Sequence, residues 1–255
     1  MKVLKDSNKE KGIPIPLPDA RKTWIVCLAL GAVFWMIGLV LWWQAGIDKA
    51  VLFYYNPMRV ANDPIVILSQ WLSSSGMAVI TAILVLYLLF SMKFKSLDAP
   101  LTVYFYTICS YGLSGIVGDI LKEIFARPRP ATTFGSQILA LSDAVTSAIP
   151  SGHATKCVAL ILPFLLLVGN SKNIHKVVKI VIALIAIGIC FSRIVLGAHY
   201  LSDVLAGIGM ALVGLPLSML FANLLLRKMP PERLPLLSKI WGLLLIVLTY
   251  LFMLL

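Results

Sequence analysis

Two histidines stand among residue types suited to handling a negatively charged group. Ser192-Arg193 is followed, after five residues, by His199 and then, four positions on, by Asp203. If a helix starts here, the i, i+4 spacing puts both side chains on one face, where the carboxylate can accept from Nδ1 and leave Nε2 free to act. Read alone, the pair is equally a helix start whose Asp203 complements the dipole. Pro150-Ser151-Gly152-His153 offers a second imidazole, fit for acid and base work near neutral pH. Beside it lie a hydroxyl and a backbone N–H that glycine leaves open to close approach, at the positive end of a helix dipole. A third pattern is Lys122 with Arg129-Pro130 seven positions on. Arginine forks to match phosphate geometry and lysine brings a point charge.

Other residues of these types have plainer readings. Asp119 pairs with Lys122 at i, i+3 on one helix. Lys49, Arg59 and Lys156 read as snorkelling cations, and His175, in a basic connection outside the patterns, as an interfacial histidine. Arg127 is either an extra anion contact or a residue supporting the site from behind; we place it behind, with Pro150 and Ser192.

The elements that must position these residues are membrane helices. The 255 residues are 60% hydrophobic and 13% charged, with a mean hydropathy of +0.93, too apolar for a soluble domain. Apolar runs of about 20 residues recur, the length that crosses a bilayer core. Spans are expected at 24–46, 65–91, 100–125, 151–170, 177–196, 203–226 and 238–255. The polar first turns of the second, from Ser69 to Gly76, suggest an interfacial start. The expected architecture is all-α: a polytopic bundle of six core spans plus a seventh C-terminal span. It divides into a cytoplasmic N-terminal arm (1–23), a six-span core (24–226), and a cytoplasmic connection with the last span (227–255). Pro14, Pro16 and Pro18 make the arm extended, and with no cleavage pattern after the first apolar run that span is expected to be retained.

A net charge of +11 raises the question of nucleic acid, but the basic residues flank apolar runs instead of forming one aromatic-interleaved stripe, so no nucleic-acid partner is expected. With the N-terminus inside, the inner segments collect fifteen of the 22 Lys and Arg residues, as cytoplasmic segments do. Of the other seven, Lys122, Arg127, Arg129, Lys156 and Arg193 gather at the ends of the third to fifth spans. The loop from Ala126 to Pro150 and the short connection from Gly197 to Ser202 then emerge on one outer face. Cys27, Cys109, Cys157 and Cys190 lie in or beside apolar runs with neither a disulfide framework nor metal-ligand spacing, and no metal or cofactor is expected.

In order and on one face, Lys122 to Arg129-Pro130, Pro150-Ser151-Gly152-His153, and Ser192-Arg193 to His199 and Asp203 resemble the three-part signature of the type 2 phosphatidic acid phosphatase superfamily. That superfamily also includes glucose-6-phosphatase and the vanadium haloperoxidases. The resemblance implies His199 as a phosphohistidine nucleophile and Asp203 as its orienting partner. It makes His153 the general acid and base, and Lys122, Arg129, Ser151, Gly152 and Arg193 the phosphate-binding set. Phosphoryl transfer needs such parts: an in-line nucleophile, positive charge around the equatorial oxygens, and a proton for the leaving group.

The function expected is metal-independent hydrolysis of a lipid phosphomonoester or pyrophosphate at the periplasmic face of a bacterial inner membrane. Phosphatidylglycerol phosphate, phosphatidic acid, undecaprenyl pyrophosphate and lipid A phosphate all fit. Two rivals stand beside it: a phosphotransferase passing the phosphate to a second lipid, and a non-catalytic transporter or scaffold. Transport predicts charged or broken helices near mid-membrane, of which the sequence has little. The motifs leave the oligomeric state open.

Overall fold

The computed structural model describes residues 20–56, 62–94, 102–141, 146–170, 172–226, 230 and 233–254. The proline-rich arm to residue 19, Arg59, Lys95, Arg227 and Lys228 lie outside them. Among the described residues every regular element is a helix: α1 Ala20–Gln44, α2 Gly46–Tyr55, α3 Pro64–Lys93, α4 Thr102–Phe125, α5 Pro130–Phe134, α6 Gly152–Leu167, α7 Asn173–Val195, α8 Leu201–Leu226 and α9 Leu234–Leu254, with a 3₁₀ turn at Gly135–Gln137. Each expected span falls on one of the long helices.

Helices suit an apolar solvent because they satisfy their own backbone hydrogen bonds. Lys22–Gln44, Pro64–Lys93, Asn173–Val195 and Leu201–Leu226 are long and apolar enough to cross a membrane. The chain is a membrane protein. Its outward surface is apolar, as at Ile116, Ile120 and Ile124 on α4, whereas Ser110 and Ser114 of the same helix face inward. The polar start of α3 is not a separate piece. One 30-residue helix runs through it, with Pro64 at its first position and the Asp63 carboxylate accepting from the Ile65 N–H at 2.8 Å.

Helix α8 is the centre of the bundle. In its most apolar window 61% of residues are buried, against 17% for α1, and it packs against α1, α4 and α6. Small residues let it approach closely. A Cβ on Gly207 would lie 2.8 Å from the Ser151 carbonyl oxygen, and one on Gly209 2.8 Å from that of Gly31. Gly207 is thus where α6 and α8 cross near the site.

Two short helices, α2 and α5, occupy stretches that the hydropathy pattern reads only as connections. Asn56, at the end of α2, is buried and binds three backbone groups: its amide donates to Val195 O at 2.7 Å and Leu139 O at 2.8 Å, and its carbonyl accepts from Leu139 N at 2.8 Å. It ties α2 to the end of α7 and to the loop after α5. The turn from α7 to α8 needs Gly197, whose φ is +65° and whose Cβ, if present, would sit 2.7 Å from the Leu139 carbonyl oxygen.

Candidate active site

The end of α7 turns so that two successive N–H groups, of Ala198 and His199, both donate to the Arg193 carbonyl, at 3.0 and 3.1 Å. This short turn brings Arg193, in the last turn of α7, next to His199, just ahead of α8. Ser151 is the N-cap residue of α6, and its N–H donates to the Asp203 carbonyl at 2.9 Å, fixing the start of α6 against the first turn of α8. From α4, Lys122 leans over Gly152: a Cβ there would meet Lys122 Nζ at 3.1 Å. Its ammonium also binds Asp119 Oδ1 at 2.9 Å, the i, i+3 pair expected from the spacing.

Arg129 is held by the loop after α5. Its Nε donates to Thr146 O at 2.7 Å and its Nη2 to Thr146 Oγ1 at 2.9 Å. Arg193 Nη1 donates to Ser73 Oγ on α3, and the His153 ring hydrogen-bonds the Ser73 backbone, so one serine fixes both. His153 is near enough to Arg193 to feel its charge. The structure therefore brings Lys122, Arg129, Ser151, Gly152, His153, Arg193, His199 and Asp203 together at one end of the bundle.

His199 is 2% exposed. Burial, then the charges of Arg129, Arg193 and Lys122, hold its pKa well below the usual histidine value, opposed in part by a hydrogen bond to the Ala148 backbone. The imidazole is neutral at neutral pH, the form with a free lone pair. Burial also lowers the Arg129 pKa, with Asp203 opposing. Three polar atoms here are buried without a hydrogen-bond partner among the described residues: Ser151 Oγ, Arg193 Nε and His199 Nδ1. Buried polar atoms are nearly always paired, so such a group at one site asks for a reason.

The His199–Asp203 pair differs from the simple expectation. Nδ1 and Oδ2 stand 3.4 Å apart, a close contact longer than a good hydrogen bond. The reason is competition. Asp203 Oδ2 accepts the Tyr200 N–H at 2.9 Å, which is half of a capping box, and Oδ1 accepts from Arg127 Nη1. Asp203 thus starts the helix as well as facing the histidine.

Arg127 lies behind this pair, on Asp203 and Ser202. It also lines a cavity of about 260 Å3 with Trp42, Lys49, Phe134 and Tyr200. Pro150 follows a cis peptide bond, and Ser192 Oγ bonds Ile189 O of its own helix at 2.7 Å. His175 is corrected by the structure: it is buried, with Nδ1 on Gly169 O at 2.8 Å, because it packs into the first turn of α7 beneath Tyr87. Lys49 lies over the Phe53 and Phe134 rings, at 5.6 and 5.7 Å. Lys156 reaches Asp119 at 3.7 Å.

Asp48, Ser73 and Thr146 escaped the sequence reading, since each sits outside the motifs. A run of small polar residues in an otherwise apolar span was the one available sign of Ser73. Among the described residues no three His, Cys, Asp or Glu side chains cluster as metal ligands would.

The sequence profile of the PAP2 superfamily matches residues 101–227, a stretch that includes all eight converging residues. No curated protein matches the chain. Among solved structures, the chain is similar to one described as the first transmembrane PAP2 type phosphatidylglycerolphosphate phosphatase from Bacillus subtilis. The TM-score is 0.56 at 22% identity, over 76% of this chain and 94% of that one. At that identity the likeness speaks for the fold.

Proposed function

Since the chain belongs to the PAP2 superfamily, we propose that it is a membrane lipid phosphate phosphatase working through a phosphohistidine. The observation that carries this reading is a buried, neutral His199 surrounded by Lys122, Arg129 and Arg193, with Ser151 Oγ and Arg193 Nε beside it as unpartnered donors.

In the first step His199 Nε2 attacks phosphorus in line with the ester oxygen. The N–P bond forms as the P–O bond breaks, and His153, which takes up a proton as the anionic phosphate binds, gives it to the leaving oxygen. Lys122, Arg129 and Arg193, with Ser151 Oγ and the Gly152 N–H at the start of α6, hold the three equatorial oxygens. Asp203 stabilises the cationic ring that results. In the second step His153, now neutral, takes a proton from water, whose oxygen attacks phosphorus; the N–P bond breaks and inorganic phosphate leaves.

Seven helices cross the membrane in this reading, with the N-terminus in the cytoplasm and the site at the outer leaflet of a bacterial inner membrane. The charge bias along the sequence supports that orientation. A site at the membrane face lets a lipid present its phosphate with its tails still in the bilayer. The structural neighbour's name puts phosphatidylglycerol phosphate first among candidate substrates, ahead of phosphatidic acid, undecaprenyl pyrophosphate and lipid A phosphate. Purified protein in mixed micelles is assayed for phosphate release from each of the four. Release from one or more, abolished by His199→Ala, is expected; release from none counts against the reading.

A further inference from the structure

Arg127 resembles a phosphate ligand in sequence, two residues ahead of Arg129, but three of its N–H donors are already engaged within the protein. Nη1 donates to Asp203 Oδ1 and Ser202 Oγ, and Nη2 donates to Asp48 Oδ2 at 2.8 Å. The guanidinium lies over the Tyr200 ring at 4.1 Å and faces Trp42 at 5.3 Å. Its backbone is fixed as well: the N–H donates to Ser147 Oγ at 2.9 Å, and the carbonyl accepts from Ala148 N at 2.9 Å.

Asp48 comes from α2, far from the signature motifs, and is as buried as Asp203. Its Oδ1 accepts the Ser202 N–H at 2.9 Å, and its Oδ2 accepts from Ser202 Oγ as well as from Arg127. An unpaired buried carboxylate is costly, so this one is tied to a full set of donors. Arg127 therefore stands between two buried carboxylates, and only one of them faces His199. With Oδ1 of Asp203 pinned by Arg127, the remaining oxygen is turned to the Tyr200 N–H and to His199 Nδ1, 3.4 Å away.

We propose that Asp48 and Arg127 are positioning residues of the hydrolytic site, holding the Asp203 carboxylate in the plane that aims His199 Nε2 at phosphorus, without touching the phosphate. The inference rests on the phosphatase reading above. It adds α2 to the machinery: the connection between the first two long helices supports a site whose eight converging residues lie within 101–227.

The test compares Asp48→Asn and Arg127→Lys in the wild-type background and in Asp203→Asn. A misaimed nucleophile loses turnover, and misplacement by about 1 Å can cost on the order of 100-fold. Each single variant is expected to lower kcat by roughly 10- to 100-fold with KM unchanged. Added to Asp203→Asn, each is expected to cost nothing further, because it acts through Asp203. A rise in KM at constant kcat would mean that Arg127 binds phosphate, and full additivity would mean action by another route; either overturns the inference. Should Arg127→Lys fail to fold, the near-isosteric Asp48→Asn carries the test alone. Orthovanadate affinity gives a reading independent of turnover: weaker binding to Asp48→Asn supports positioning, and equal binding overturns it. A wild type that releases phosphate from no lipid sinks the phosphatase reading, and the vanadate comparison still decides the positioning.

Discussion

The Ser151 N–H donates to the Asp203 carbonyl at 2.9 Å, so main chain joins the helix start that carries His153 to the one that follows His199. That junction depends on Gly207, in the second turn of α8, where a Cβ would lie 2.8 Å from Ser151 O and 3.0 Å from Ala154 Cβ. Gly207→Ala should therefore push α6 and α8 apart. The expected loss is about 1–3 kcal/mol of stability, as for overpacking elsewhere. A lowered thermal midpoint in detergent checks it, and an unchanged midpoint would show that the crossing has slack.

The proposed phosphate clamp predicts that charge alone is insufficient. Arg129 reaches Thr146 through two nitrogens, and Arg193 reaches Ser73 through one, a forked geometry that lysine lacks. Arg129→Lys and Arg193→Lys should each reduce kcat/KM by roughly 100-fold, the scale of losing one preorganised donor. Steady-state kinetics on the best lipid measures this. Wild-type kinetics in both would remove these residues from the site.

The pH profile follows from His199. Its folded pKa lies well below 6.5, so protonation, which removes the attacking lone pair, sets in only at more acidic pH. The acid limb of kcat/KM that reports His199 should accordingly fall below pH 6.5. The same shift touches stability. Because the unfolded ring takes up its proton first, this stabilisation is complete above the ordinary histidine pKa and is lost as pH falls towards the folded value. An acid limb at or above pH 6.5 would contradict a neutral, buried nucleophile.

Much of this architecture was legible from hydropathy and spacing. Helices α1, α3, α4, α6, α7, α8 and α9 coincide with the seven apolar runs, because a bilayer leaves few other solutions for such segments. The eight converging residues were marked by motif order and by cations on the sparse side of the charge count. Asp48 was not visible, since a lone aspartate in a connection gives no sign that it will meet Arg127, 79 residues away. Nor was α2, whose ten residues are too few to register as a span. The His199–Asp203 pair shows the limit of spacing. The i, i+4 interval placed them together, yet capping of Tyr200 and the pull of Arg127 set the final 3.4 Å.

Activity should survive excess chelator. In the proposed mechanism the charge around the phosphate comes from Lys122, Arg129 and Arg193, which surround His199, and the described residues hold no cluster of three metal-ligating side chains. Phosphate release with and without EDTA measures this, and a loss restored by a divalent cation would contradict it.

The central claim is that His199 carries the phosphoryl group. Quenching wild-type protein with alkaline detergent during turnover of radiolabelled lipid phosphate should trap an acid-labile, base-stable phosphoprotein whose label maps to the peptide containing His199. The same quench of His199→Ala should yield none. Label retained in that variant, or mapped to another residue, would contradict the account.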